Sequence, residues 1–244
     1  MEDNYIFGIR AVIEAINAGQ NIDKIVARKG LNGELFNELK SLATNKHVRI
    51  QFSEPEVLDR ITKSTHQGVI AFLSKIKYIT LDKINEIAEA EGKKPLVVVT
   101  DGITDVRNFG AIVRSADLAG VHAIIVPQKG SAPINGESMK TSAGALNYMP
   151  ICQSANLYFA VKTLKEHGYK IVGATEHGAQ DYHKVDFTGA TAIIMGSEDK
   201  GISNQLLKLC DENAMIPMHG HIESLNVSVA AGIILFEAAN QRNK

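Results

Sequence analysis

Strong charge of either sign is missing. The 244 residues carry 26 Lys and Arg against 27 Asp and Glu, a formal net charge of −1. That gives no support for a strongly basic nucleic-acid binder, although a neutral protein can still carry a local basic patch. Cysteine is scarce. Cys152 and Cys210 stand far apart and outside any CxxC, so they read as reduced thiols of a cytosolic protein rather than as a disulfide or a metal site. No apolar run is long enough to cross a bilayer. The start, MEDNYIFGIRAV, is acidic and lacks the charged-then-apolar pattern of an export signal, so the expected location is the cytoplasm. Low-complexity tracts and solenoid repeats are absent.

What is present changes character along the chain. Residues 1–74 read as a small αβ unit: YIFGIRAVIEAINAG and GELFNELKSLATNKH have helical apolar spacing, EPEVLDRIT has Pro55 in a first turn, and IDKIVARKG, VRIQFS and QGVIAFLS read as strands. Residues 75–94 are rich in Lys and Glu and read as a linker with one solvated helix; membership of a flanking domain fits equally well. From Pro95 to residue 244 the pattern is α/β. Five short apolar runs, LVVVT, HAIIVP, YKIVGAT, TAIIMG and NAMIPM, alternate with helical segments. One of these, SANLYFAVKTLKEHG, has Ser154 as its expected cap. Runs of this kind suit buried parallel strands.

In a parallel sheet, function sits at the carboxyl ends of the strands. The loops there are polar. The first offers Asn108, Gly110 and Arg114 at a helix start. Asn108 and Arg114 are six apart and lie on different turns, and on spacing alone a helix cap and a surface arginine explain them. GSEDKG places Glu198 between Gly196 and Gly201, which suits either backbone approach to a ligand or a tight turn with a solvated acid. His219-x-His221 has no third ligand at useful spacing, so no metal is expected. Neither G-x-G-x-x-G nor G-x-x-x-x-G-K-[ST] occurs, which argues against a dinucleotide Rossmann domain and a P-loop NTPase and weakens a Rossmann-type S-adenosyl-L-methionine (AdoMet) site. No G-x-S-x-G elbow supports a serine hydrolase.

Together the loops are more specific than each alone. DGITDVRNFGAIVRSADLAGVHAIIVP, IIMGSEDKGIS and IPMHGHIESLNVSVAAGIILFEA resemble, in order and spacing, the three signature motifs of the SpoU/TrmH family, RNA 2′-O-ribose methyltransferases of the SPOUT class. The resemblance runs from about Leu96 onward. YIFGIRAVIEAI and HQGVIA resemble the ribosomal-protein-like RNA-binding domain of the RlmB-type branch. The resemblance implies a C-terminal parallel-sheet domain with a trefoil knot, a rare exception to ordinary chain topology.

It also implies AdoMet as methyl donor, held by Gly196, Ile216, Leu225, Thr175, Met218 and Ser224. Arg114 becomes the central catalytic residue, with Asn108, Glu198 and Asn226 orienting it and the nucleotide. Arginine stays protonated in proteins, so Arg114 is expected to grip a phosphate and a developing alkoxide rather than act as a base. A homodimer is implied, with Arg114 reaching the partner's cofactor. RNA contacts are expected from Arg10, Lys24, Arg28, His66 and Gln67. The implied substrate is a guanosine of 23S rRNA; a tRNA ribose, or a non-catalytic role in RNA binding or ribosome assembly, are the alternatives.

Overall fold

The computed structural model describes residues 5–46, 48–74, 76–175, 180–220 and 224–243. They form two compact units divided after Lys77.

In the small unit, strand β1 (Tyr5–Phe7) leads through Gly8 into helix α1 (Ile9–Asn17). Strand β2 (Ile22–Arg28), helix α2 (Glu34–Asn45), β3 (Arg49–Ser53), α3 (Pro55–Ile61) and β4 (Val69–Leu73) follow. The sequence pattern alone merges β1 with α1. Gly8, at φ +90°, is the break between them. The sheet order is β1-β4-β2-β3, with β2 and β3 parallel and the other pairs antiparallel. Alternation along β2 divides the packing. Ile25 and Ala27 join Val12, Ile16, Phe36 and Leu39 of α1 and α2 in one cluster, while Val26 packs with Ile70 and Leu58 of α3 in another.

The large unit begins inside the expected linker. β5 (Tyr78–Ile79) pairs with β8 (Ile151–Ser154), and α4 (Leu81–Ala90) buries Ile84 and Ala88. So much of the 75–94 segment is integral to the larger fold. Two apolar positions on a Lys/Glu-rich helix suffice to dock it, and composition hid them. The remaining elements are β6 (Leu96–Asp101), α5 (Val106–Leu118), β7 (Ala123–Pro127), α6 (Gly136–Thr141), α7 (Leu157–Glu166), β9 (Lys170–Ala174), β10 (Gln180–Asp181), β11 (Thr191–Gly196), α8 (Asn204–Leu207), β12 (Glu212–Met215) and α9 (Val227–Arg242). Asn156, not Ser154, caps α7 by accepting the Tyr158 N–H; the Ser154 hydroxyl instead donates to the Asn156 carbonyl.

Eight strands pair in the order β10-β12-β9-β11-β6-β7-β8-β5, and every pairing is parallel. The five expected runs are all strands of this sheet; β5, β8 and β10 are additional and too short to stand out. β6 and β11 lie side by side at the centre, and the chain moves outward from them in opposite directions. That is a topological switch point, where open α/β sheets leave a crevice at the strands' carboxyl ends.

The late part of the chain closes the unit. α9 is apolar nearly all round and buries Val227, Ala231, Ile234, Leu235 and Ala238. Its last turn is pinned to the amino ends of the central strands: the Arg242 guanidinium donates to the carbonyls of Lys94, Pro95, Phe187 and Gly189, and Gln241 donates to that of Val185.

Candidate active site

The crevice is built from the loops after β6 and β11. Asp105 caps α5, accepting the main-chain N–H groups of Arg107 and Asn108 at 2.8 and 2.9 Å. The cap is therefore Asp105 rather than Asn108, whose side chain is released toward the crevice. A D-x-R-N pattern just before a helix could have indicated this. After β11, Ser197 and Gly201 bond reciprocally through the main chain, leaving Glu198, Asp199 and Lys200 as the tip of a tight turn. Gly196 has no room for a side chain: an added Cβ would overlap the backbone of Gly201 and Ile202. The two loops are tied by Asp101, whose carboxylate accepts the Ser203 N–H at 2.7 Å.

Three polar residues from three elements then meet. The Asn108 amide donates to Glu198 Oε1 at 3.1 Å. The Asn226 amide is within 2.6 Å of the same Oε1 and 2.9 Å of Asn108 Oδ1. Asn226 also caps α9 by accepting the Ser228 N–H. The cluster thus links the β6–α5 loop, the turn after β11 and the start of α9.

On one side of it lies a cavity of about 880 Å³. All six residues expected to hold a cofactor line it: Gly196, Thr175, Ile216, Met218, Ser224 and Leu225. Met195 and Ile234 add apolar wall that the loop motifs do not reveal. Asp199 and Lys200, also missed, stand at the turn beside Glu198. A second cavity of about 370 Å³ shares Glu198 with the first and is lined by Thr104, Asp105, Asn108 and Gly130.

Arg114 lies apart. It is exposed and lines neither cavity. At 100° per residue, six positions turn it about 120° around α5 from Asn108, and it has no polar partner among the described residues. His219 is exposed, and His221 lies outside the described residues. Both thiols behave as expected of inert groups, since burial pushes Cys152 and Cys210 up to about 11. Among the described residues no cluster of three or more His, Cys, Asp and Glu is placed to hold a metal, and no helix is long and apolar enough to cross a membrane.

Of the five residues expected to touch RNA, four gather at one end of the small unit. Arg28 donates its N–H to the Gly68 carbonyl, and Arg10 follows Ile9, whose N–H donates to Gln67 Oε1 at 3.3 Å. His66 is engaged internally, with Nδ1 accepting the Gly68 N–H and Nε2 2.9 Å from Asp59. Arg10 and Arg28 are exposed. Lys24 sits elsewhere, near the start of β2, its ammonium 5.0 Å from the centre of the Phe72 ring.

Comparison with known proteins agrees with this architecture. The SpoU rRNA methylase family matches residues 95–236, and the substrate-binding domain of RNA 2′-O ribose methyltransferases matches residues 5–79. A Staphylococcus saprophyticus protein named for the TrmH family of tRNA/rRNA methyltransferases is 35% identical over 243 residues, covering 100% of this chain and 98% of its own length. The crystal structure of the SpoU methyltransferase AviRb from Streptomyces viridochromogenes, in complex with AdoMet, is 27% identical and covers 98% of this chain and 90% of its own, with a TM-score of 0.61. The A. aeolicus TrmH/SpoU tRNA modifying enzyme is 31% identical over 67% of this chain and 82% of its own, with a TM-score of 0.57. By its sequence match along both units and its fold, the chain belongs to the SpoU family of RNA 2′-O-ribose methyltransferases.

Proposed function

We propose that the 880 Å³ cavity binds AdoMet and that the Asn108–Glu198–Asn226 cluster on its wall is the catalytic centre for methylation of a 23S rRNA guanosine. The observation that carries this reading is that cluster: three polar side chains from separate loops bonded to one another beside a cavity lined by the expected cofactor residues. The lining suits the ligand. Ile216, Met218 and Leu225 offer an apolar slot for adenine, and Glu198 and Asp199 offer negative charge to a cationic ligand. AdoMet, when bound, supplies an electrophilic methyl group on a sulfonium. The chain's own contribution is orientation, worth many orders of magnitude when two reactants are held in line. Asn108 and Asn226 hold Glu198 in one geometry for that purpose.

Arg114 acts from a second copy. That it lines neither cavity of its own chain supports this, as does exposed apolar surface on the packed pair α5 and α9: Leu118 on α5 and Val229 and Phe236 on α9 are 66%, 49% and 51% exposed. In the homodimer this surface is covered and Arg114 reaches the partner's site, where it grips the phosphate beside the acceptor ribose. A trefoil knot in the C-terminal segment belongs to the same reading.

An rRNA substrate is supported by the substrate-binding domain matched over residues 5–79, and by the tRNA-modifying relative covering only 67% of this chain. Arg10 and Arg28 are exposed cations at that end of the domain, beside the equally exposed Lys29. The test is a map of ribose methylation on rRNA from a deletion strain, complemented with wild type or Arg114→Ala. One 2′-O-methyl site should vanish on deletion and return with wild type only. If none vanishes, and tRNA rather than rRNA accepts label from AdoMet in vitro, the substrate assignment moves to tRNA.

A further inference from the structure

Methyl transfer to a ribose needs a destination for the hydroxyl proton, and Arg114, always protonated, cannot provide one. The hydrogen bonds of Glu198 are lopsided. Oε1 lies within 2.6 Å of the Asn226 amide, 3.1 Å of the Asn108 amide and 3.4 Å of the Val227 N–H. Oε2 has no hydrogen-bond partner among the described residues. All three donors are neutral, so the carboxylate is fixed in place without being neutralised. Glu198 also lies on the wall common to both cavities. A two-substrate reaction needs such a wall, and the 370 Å³ of the second cavity falls within the usual range for ligand pockets.

We infer that the second cavity receives the acceptor nucleotide and that Glu198, through its free Oε2, accepts the hydrogen bond and then the proton of the ribose 2′-hydroxyl. The inference rests on the methyltransferase reading above. The balance closes: the 2′-oxygen forms a bond to the methyl carbon as the carbon–sulfur bond breaks, the sulfonium becomes a neutral thioether, and the hydroxyl proton passes to the carboxylate. One positive and one negative charge disappear together. A carboxylate is a weak base, but the hydroxyl becomes strongly acidic as its oxygen is alkylated, so a well-placed weak acceptor suffices.

The other polar groups at this wall fit less well. Asp105 lines the second cavity but not the first, so it does not stand between the two substrates. Lys200 only donates. Asp199 shares both cavities, but no hydrogen bond among the described residues holds it in place.

The test compares wild type with Glu198→Gln, Asp199→Asn and Thr104→Phe. In Glu198→Gln the side-chain carbonyl still accepts from the two asparagines, but an amide replaces the oxygen that faces the ribose. At saturating AdoMet, Glu198→Gln should lower kcat by about 10²- to 10⁴-fold, the usual worth of a general base. The second readout is binding alone, using a synthetic RNA across the site found by the methylation map and its single 2′-deoxy counterpart. Wild type should prefer the ribose form by roughly tenfold, the scale of one hydrogen bond to a charged group, and Glu198→Gln should show no preference. Thr104→Phe, which fills the second cavity away from Glu198, should bind AdoMet and lose methylation. The inference is overturned if Glu198→Gln keeps wild-type kcat or the ribose preference, if Asp199→Asn shows those losses instead, or if Thr104→Phe methylates normally. A wild-type protein that neither binds AdoMet nor methylates any RNA would sink the parent reading instead.

Discussion

Asn226 does two jobs with one amide. It caps α9 through Oδ1 and holds Glu198 and Asn108 through Nδ2. Asn226→Ala should therefore cost about 1 kcal/mol of stability as a lost cap and about 10²-fold in methylation rate as misplaced neighbours. Thermal melting and a methyl-transfer assay read the two effects separately; a variant that lost stability alone would leave the cluster without a role. A second residue makes the protein acid-sensitive. His122 is buried, its Nδ1 accepting the Leu96 N–H at 3.0 Å and its Nε2 3.9 Å from Glu91. Burial holds its pKa below the ordinary 6.5, while Glu91 pulls the other way and Arg242 and Lys93 add to the lowering. The unfolded chain then binds the extra proton first, so stability is full above about pH 6.5 and falls as pH drops below it. A melting-temperature series from pH 7.5 to pH 5 should show a decline that His122→Gln reduces. Residue types at the site were legible in the sequence because spacing and order survive in the motifs. The shared Glu198 oxygen was not, since it depends on three loops converging in space.

At the scale of elements, β11 and its turn carry the tightest constraint. Gly196 lies against the backbone of Gly201 and Ile202, which cannot retreat without breaking the Ser197–Gly201 pair. Gly196→Ala should cost about 1–3 kcal/mol by overpacking and weaken AdoMet binding in a titration; an unchanged affinity would remove this turn from the cofactor site. α9 allows a different prediction. Val229 and Phe236 stand two turns apart on an exposed stripe, so Val229→Glu with Phe236→Glu should yield a monomer by sedimentation and abolish activity, with AdoMet binding retained. A dimer that survives both changes would place the interface elsewhere. Strong apolar runs made β6, β7, β9 and β11 legible. β8, reading ICQS, and β5, only two residues long, carry too little pattern and are strands because their neighbours are. The same holds for α4, whose docking to the larger unit rests on Ile84 and Ala88 amid charge.

At the scale of the molecule, the two units answer to different physics. The larger one is a buried parallel sheet whose candidate site lies at its switch point, the place that the rule for parallel sheets, invoked from the alternation of apolar runs and helices, points to. The strand order was not legible, because β12 inserts between β9 and β10 rather than at an edge. The whole is secured at the far end of α9. Arg242→Met would remove the guanidinium from the carbonyls of Lys94, Pro95, Phe187 and Gly189. Pro95 and Gly189 keep Thr191 as a donor, and the loss at Lys94 and Phe187 should cost about 2 kcal/mol in denaturant unfolding; a much smaller cost would mean that water replaces the guanidinium freely. The same latch governs how the protein is made. Arg242 must leave the ribosome before it can reach Lys94, 148 positions earlier, and Ile216, Met218, Ser224 and Leu225 must leave before the larger cavity has its wall. During synthesis the sheet's early strands wait for partners that the ribosome has not yet released. No ligand of that cavity can assist them, because ligand stabilises only a state that already binds it. Nascent chains stalled before residue 212 should therefore be open to protease at any ligand concentration, and resistance should appear only with the finished chain.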